Sequence, residues 1–546
     1  MAAPFETHEV LNQTPPFEDV DLFALDRPLQ DALAANGAAG EAAALSAFGR
    51  RYGAAEMLDE ARRANENPPK LASFDRTGFR RDTVEFHPAY HRLMGESIAA
   101  GVHASTWRTD GSRAAAPAEV SRAARFYMAN QVEAGHCCPI TMTRASVAAL
   151  AAESALRDRF IGKILSRTYD ASFRPAAEKA GITLGMGMTE KQGGTDVRAN
   201  TTCAMAAGEG YLITGHKWFL SAPMCDAFLV LAQAPGGLTC FLMPRFRPDV
   251  SVNALRLQRL KEKLGNRSNA SAEVEFADAF AWRVGEEGRG VRTIIEMVQL
   301  TRLDCALGSA GLMRMALTQA VHHARHRSVF QRRLADQPMM RSVLADLALQ
   351  MEATVALVMR LARAFDHPDD PAEAARSRLL TPAVKYFVCK TAPGFIYEAM
   401  ECLGGNGYVE EAPLARLYRE APVNAIWEGS GNVMCLDVLR ALSREGEAGR
   451  DLIETLAGET AELPGAAETA AFVANALGSR EAEATARRAV ERFALLAAAA
   501  ALAERAPIMA ETFARVRLSA PHGATYGTAA LEPADVGTLL ERALPV

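Results

Sequence analysis

No Cys-x-x-Cys pair occurs in this chain. Its nine cysteines stand apart, at Cys137, Cys138, Cys203, Cys225, Cys240, Cys305, Cys389, Cys402 and Cys435. A zinc ribbon and a dithiol redox motif are thereby excluded. Scattered, odd-numbered thiols fit a reduced, cytoplasmic protein that buries most of them. The first residues lack a basic stretch followed by an apolar one, so no secretory signal is expected. The longest apolar run, residues 493–503, is too short to cross a bilayer and is dominated by Ala. It reads as a helix packed on other helices, and no membrane partner is expected. A basic excess is missing as well. Lys and Arg number 60 against 65 Asp and Glu, a net charge of −5, so no global positive field announces nucleic acid. Residues 441–546 have no lysine at all. Ten Arg face fifteen acidic residues there, and the whole net charge lies in that segment.

What is present is length and apolar content. The 546 residues are 49% apolar and exceed one hydrophobic core, so three or four domains are expected. Pro4, Pro15, Pro16 and Pro28 suggest an extended arm over residues 1 to about 40. Helical periodicity follows, as at 41–63 and 119–133, broken by Asn67-Pro68-Pro69. Residues 211–214, 227–232, 238–243 and 272–276 read as strands at short intervals without intervening helices. That pattern argues for an antiparallel sheet rather than βαβ units. Long helices return from about residue 290, interrupted by a polar loop at 366–371, as in a helical bundle. The expected fold class is α+β, mainly α. It comprises an arm and helical domain (1–180), a central antiparallel β domain (181–290), a helical bundle (291–440) and a further helical domain (441–546). His87 with His91, and His322, His323 and His326, lack carboxylates at ligand spacing. They read as structural or solvated residues, and no metal is assigned.

Two stretches carry chemistry. Residues 426–432 read Ile-Trp-Glu-Gly-Ser-Gly-Asn. Ile426 and Trp427 would dry one side of Glu428, and a carboxylate so placed can remove a weakly acidic C–H proton. Gly429 and Gly431 allow close backbone approach to a ligand. By themselves these residues describe a helix-terminal Glu beside a glycine turn more readily than a catalytic base. Residues 185–196 read Gly-Met-Gly-Met-Thr-Glu-Lys-Gln-Gly-Gly-Thr-Asp. This is neither a G-x-G-x-x-G fingerprint nor a P-loop. The hydroxyls of Thr189 and Thr195, the open N–H groups of Gly193 and Gly194, and the apolar Met186 and Met188, which could lie along a flat ring, suit a heterocycle with a phosphate tail. Gly215-His-Lys-Trp-Phe-Leu-Ser221 adds an aromatic pair and a hydroxyl.

These motifs, followed in order by Arg327-Ser-Val-Phe330, Gly404-Gly-Asn-Gly-Tyr408 and Glu428-Gly-Ser430, resemble the acyl-CoA dehydrogenase family over roughly residues 119–440. Residues 64–69, 86–91, 138–143, 187–194, 263–270 and 426–432 further resemble its AidB-like, adaptive-response branch. The resemblance implies FAD as cofactor and Glu428 as the base that takes the α-proton of an acyl-CoA. It implies flavin contacts from Met186, Gly187, Met188, Thr189, Gly193, Gly194, Thr195, Phe219, Leu220, Ser221, Ile426, Gly429, Ser430, Gly431 and Asn432. Arg327, Phe330, Gly404 and Gly405 would reach the cofactor of a neighbouring subunit. Gln331 and Glu401 replace the family's usual Gly and Gln nearby. Thr301 stands where other branches place the base, before Arg302. The branch further implies a homotetramer, a dimer of dimers, with weak dehydrogenation activity. It also implies duplex DNA binding through residues after Arg440, for which Arg440, Arg487, Arg488, Arg492, Arg515 and Arg517 are the candidates. An ordinary short- or branched-chain dehydrogenase without a nucleic-acid role is the alternative.

Overall fold

The computed structural model describes residues 7–479, 481–519 and 523–545. The arm is shorter than its prolines suggested. Helix Arg27–Ala35 begins within it, with Asp26 as N-cap accepting from Leu29 N and Pro28 in the first turn. Proline there has no N–H to waste and a preset φ, so it starts this helix instead of breaking it. The periodic stretch 41–63 divides at Gly53 into helices Ala42–Tyr52 and Ala55–Glu66. A Cβ at Gly53 would lie 2.1 Å from the Val20 carbonyl, so the arm is pressed against that joint.

After Pro68-Pro69 comes a hairpin that periodicity did not reveal, Lys70–Phe74 paired with Arg80–Glu85. Helices Pro88–Ala99, Ala118–Val132, Cys137–Leu150 and Ser154–Ile164 complete the first helical region. Its centre is charged. Arg122 and Arg144 are fully buried and pair with Asp304 of the long helix Gly290–His326. Two guanidiniums around one carboxylate fix how the two helical regions meet.

Between Leu184 and Val284 the chain forms a seven-stranded sheet. Its backbone is strand Gly210–Ser221, antiparallel to Cys203–Ala207 and to Ser271–Val284. Ala227–Ala234 and Gly237–Pro244 form an adjoining antiparallel pair. Strand Leu184–Gly187 departs from the antiparallel rule. It runs parallel to Ala227–Ala234, from Leu184 opposite Ala227 to Gly187 opposite Val230, while Met186 also faces Ser221 across an antiparallel partner. The motif loop 188–196 thus leaves a strand wedged between two others.

Helices Gly290–His326, Pro338–Asp366 and Pro371–Glu401 form the bundle, followed by Pro413–Asn424 and Gly431–Glu445. The polar break at 366–371 is a tight turn in which Asp370 caps the next helix. Helix Pro338–Asp366 is long and apolar enough to cross a bilayer, but 83% of its most apolar window is buried within the protein. Five further helices lie between Glu447 and Ala543 among the described residues. The last of them returns to the bundle, where Arg542 pairs with both Glu352 and Asp31. All nine cysteines are free thiols. Seven are buried, Cys138 is half-buried and Cys203 is exposed.

Candidate active site

Glu428 lies in the turn between helices Pro413–Asn424 and Gly431–Glu445. It adopts a left-handed backbone, φ 57°, and Gly429 follows at φ 105°. A non-glycine residue at positive φ is uncommon and needs outside support. Two buried cations supply it. Lys385 Nζ donates to the carbonyls of Asn424 (3.0 Å) and Gly429 (2.7 Å). Arg302 Nε donates to the Glu428 carbonyl at 3.1 Å, and its Nη1 donates to Asp437 at 2.6 Å. The carboxylate itself accepts from Thr301 Oγ1 at 2.6 Å. A Cβ at Gly429 would also sit 2.4 Å from Met434 Cε, so that side chain would have to move.

The carboxylate opens on a cavity of about 60 Å³. Met186 and Ser221 from the sheet, Thr301, Trp427, Asn424 and Glu420 are among its walls. Trp427 Nε1 is tied to Asn424 Oδ1 at 2.9 Å. The sequence led us to expect Ile426 to dry Glu428 as well. It is 65% exposed and does not line the cavity, whereas Trp427 does.

The motif loop is anchored from below. Glu190 is fully buried and pairs with Lys217 Nζ at 2.6 Å, while it accepts from Thr201 N, Thr202 N and Gln192. Burial alone would raise this carboxyl. The Lys217 ammonium and the threonine donors outweigh burial and hold it at about 2. Trp218 N donates to Thr189 O at 2.8 Å, joining loop and strand. A Cβ on Gly194 would fall 2.2 Å from Thr189 Oγ1, so glycine here leaves that hydroxyl its place. Gly187 likewise makes room for Leu220.

These surroundings fit a flavin. The hydroxyls of Thr189, Ser221 and Ser430 have no hydrogen-bond partner among the described residues. Phe219 is 46% exposed beside them. Gly193, Gly404 and Gly405 have open space where a Cβ would stand, as close approach of a phosphate chain requires. Met188 is half-buried in the loop, and Gly431 packs near Tyr386 at the start of its helix.

Other candidates lie apart from the cavity. Thr195 lines a wide groove of about 750 Å³ together with Arg440. Arg327 donates to the Asn12 carbonyl at 2.6 Å. Phe330 and Gln331, both at positive φ, form the tip of a small hairpin, with Phe330 89% exposed. Gln331 thus takes a backbone that the family's Gly would adopt more readily. Asn432 Oδ1 accepts from Arg487.

The arginines proposed as one basic face do not form one. Arg517 is buried and ion-paired with Asp346. Arg515 pairs with Asp535. Arg492 is spent on the Arg517 carbonyl. Burial removes Arg517 from any phosphate, and the Asp535 carboxylate offsets the charge of Arg515. Arg487 lies near Tyr386 and Arg488 stacks on Phe472, so the two point to different neighbours. Arg440 is exposed and shares its groove with Arg113, Arg198, Arg378 and Arg444.

Sequence reasoning missed Lys385 and Glu420, and noted Thr301 and Arg302 only as the place of a missing base. No motif marks Lys385 or Glu420, since their partners come from distant segments. Among the described residues no three His, Cys, Asp or Glu side chains gather as metal ligands. His91 pairs with the Tyr169 hydroxyl, and His322 with the Pro15 carbonyl of the arm.

Fold and site together define a class. Residues 185–279 match the acyl-CoA dehydrogenase middle domain, and residues 288–443 match its C-terminal domain. Residues 12–171 match the N-terminal domain of adaptive response protein AidB. AidB of Escherichia coli (strain K12) is 51% identical over 444 residues, covering 81% of each chain. Acyl-CoA dehydrogenase family member 11 of Caenorhabditis elegans is 30% identical, over 78% of this chain and 70% of its own. The crystal structure of Caenorhabditis elegans ACDH-11 in complex with C11-CoA superposes with a TM-score of 0.82 at 26% identity, covering 99% of this chain and 93% of that one. The Bd2924 apo-form superposes with a TM-score of 0.81 at 27% identity, over 90% and 99%. The chain belongs to the acyl-CoA dehydrogenase family, on its AidB-like branch. It is an FAD-dependent oxidoreductase by class.

Proposed function

We propose that this protein removes the α and β hydrogens of a short acyl-CoA, with Glu428 as the base. The observation that carries this reading is the carboxylate itself. It is held by Thr301 on a turn clamped by Lys385 and Arg302, and it faces Met186 and Ser221 across one cavity. FAD, when bound, supplies the acceptor for the β-hydride. Thr189, Ser221 and Ser430 would offer it hydroxyls, the backbone at 186–188 and 193–194 would run along it, and Phe219 would flank the ring. Thr301 keeps one carboxylate oxygen occupied and oriented, which leaves the other to take the proton. Trp427 excludes water from one side of the transfer.

Arg327, Phe330, Gly404 and Gly405 are assigned to the cofactor of a neighbouring subunit in a tetramer. Phe330, Met339 and Tyr408 expose large apolar side chains, surface that association would cover. A cytoplasmic location suits the nine free thiols. The test is anaerobic titration of purified yellow protein with short acyl-CoAs, read by loss of flavin absorbance. Failure of every thioester to reduce the flavin would overturn the substrate assignment.

A second reading, duplex DNA binding, rests on the resemblance to the AidB-like branch and on the groove at Arg440, where five arginines stand among Asp196, Glu296 and Asp437. Arg440 and Arg444, not Arg515 and Arg517, are its best candidates. Counterion release makes affinity fall steeply with salt. Arg440→Glu with Arg444→Glu should abolish salt-sensitive anisotropy changes on a labelled duplex. Binding that survives this double change unaltered would refute the assignment.

A further inference from the structure

The cavity in front of Glu428 has a second carboxyl in its wall. Glu420, on helix Pro413–Asn424, is 3% exposed. Its Oε1 accepts from Asn266 N at 2.7 Å. Its Oε2 is buried and has no partner. The asparagines beside it are spent within the chain. Asn130 Nδ2 donates to the Phe126 carbonyl at 2.8 Å, and Asn424 Nδ2 donates to Ser309 Oγ at 3.1 Å. Asn266 Oδ1 accepts from Asn269 at 3.0 Å. Among the described residues of the cavity wall, Glu420 Oε2 is the side-chain oxygen that is fully buried and unpaired; Asn130 Oδ1 accepts no hydrogen bond either, but it belongs to an uncharged amide.

An unpaired buried polar atom is destabilising, and more so if charged. A protonated carboxyl avoids burying the charge but then needs an acceptor for its O–H, and no described residue is paired with Oε2. We propose that Glu420 is a specificity-determining hydrogen-bond donor, selecting short acyl groups that end in an uncharged oxygen acceptor over alkyl groups of the same shape. This rests on the reading of the cavity as the acyl site.

The electrostatics agree. Burial lifts the Glu420 carboxyl, and the nearby Glu133 carboxylate lifts it further. Asn266 N–H, Arg416 and Lys263 oppose, and the outcome is about 7. Arg416 is turned toward the Val132 carbonyl and Lys263 toward the Asn269 carbonyl, so neither pairs with Glu420. Glu133 is occupied by His136, Asn65 and Ser268. Below pH 7 the donor is present; above it the donor is lost as the carboxyl ionises.

The experiment compares 5-oxohexanoyl-CoA with 5-methylhexanoyl-CoA, in which a methyl replaces the ketone oxygen. The readout is the ratio of their flavin-reduction rates at limiting thioester. Wild type should favour the ketone by about tenfold or more at pH 6, since a site built around a hydrogen bond rejects the analogue lacking it. The ratio should fall between pH 6 and 8. Glu420→Leu should favour the methyl compound, and Glu420→Gln should keep part of the preference without its pH dependence. A Glu420→Leu ratio within twofold of wild type would overturn the proposal. If neither thioester reduces the flavin, the dehydrogenase reading fails separately. The same ratios, measured as dissociation constants from the flavin's spectral shift on binding, then decide the role of Glu420.

Discussion

Glu190→Gln is the perturbation whose size the structure fixes best. The change keeps the side chain's shape but leaves the Lys217 ammonium, fully buried, with neutral acceptors only, the amide oxygen and the Leu231 carbonyl at 2.8 Å. Breaking a buried pair from one side costs about 3–5 kcal/mol, because a charge is left unmatched. A second route gives a similar figure. A carboxyl held at about 2 instead of its ordinary 4.5 corresponds to roughly 3 kcal/mol favouring the ionised fold. Because the folded form lowers this pKa, the contribution is complete above about pH 4.5 and disappears as the pH falls toward 2. Denaturant unfolding followed by Trp218 fluorescence should place Glu190→Gln about 3–5 kcal/mol below wild type at pH 7. The gap should narrow below pH 4.5. Lys217→Met should cost less, since Glu190 keeps the donors of Thr201, Thr202 and Gln192, and the double variant should lose less than the two singles summed. A loss under about 1 kcal/mol, or a gap undiminished at pH 3, would refute the reasoning.

Gly194→Ala should displace Thr189 and lower the flavin content of purified protein with little change in unfolding temperature; unchanged flavin content would count against Thr189 as a contact. Arg517→Ala leaves Asp346 buried without its cation, so it should cost about 3–5 kcal/mol while leaving the salt dependence of duplex binding intact. An unaltered stability with weakened DNA binding would restore Arg517 to the nucleic-acid surface. Thr189→Val combined with Ser221→Ala should speed flavin loss on dilution, each hydroxyl being worth roughly 0.5–1.5 kcal/mol.

How much of this was legible depended on how local the cause was. Residues 426–432 and 185–196 announce themselves because backbone and ligand chemistry demand glycine at fixed places, as Gly429 and Gly194 show. The alternation of helix and strand survives in the periodicity. Helix Arg27–Ala35 did not, because proline reads as a breaker unless the preceding Asp26 is recognised as its cap. Hairpin 70–85 and strand Leu255–Leu260 are rich in charged, partly exposed residues, so neither showed the apolar run of a core strand. The arginines after residue 440 misled for a different reason. Composition counts charges, and only the fold reveals that Arg517 meets Asp346 and Arg515 meets Asp535. Glu420 was invisible likewise, since its burial is made by Asn266 and Glu133 from other segments.

The role of Glu428 is tested most directly by single-turnover reduction of the bound flavin in Glu428→Gln. Glutamine keeps the Thr301 contact and the shape of the turn but cannot take a proton. With any acyl-CoA that bleaches the wild-type flavin, the variant should be slower by about 10²–10⁴-fold or more at unchanged flavin content. Reduction at the wild-type rate would contradict the assignment of Glu428 as the base.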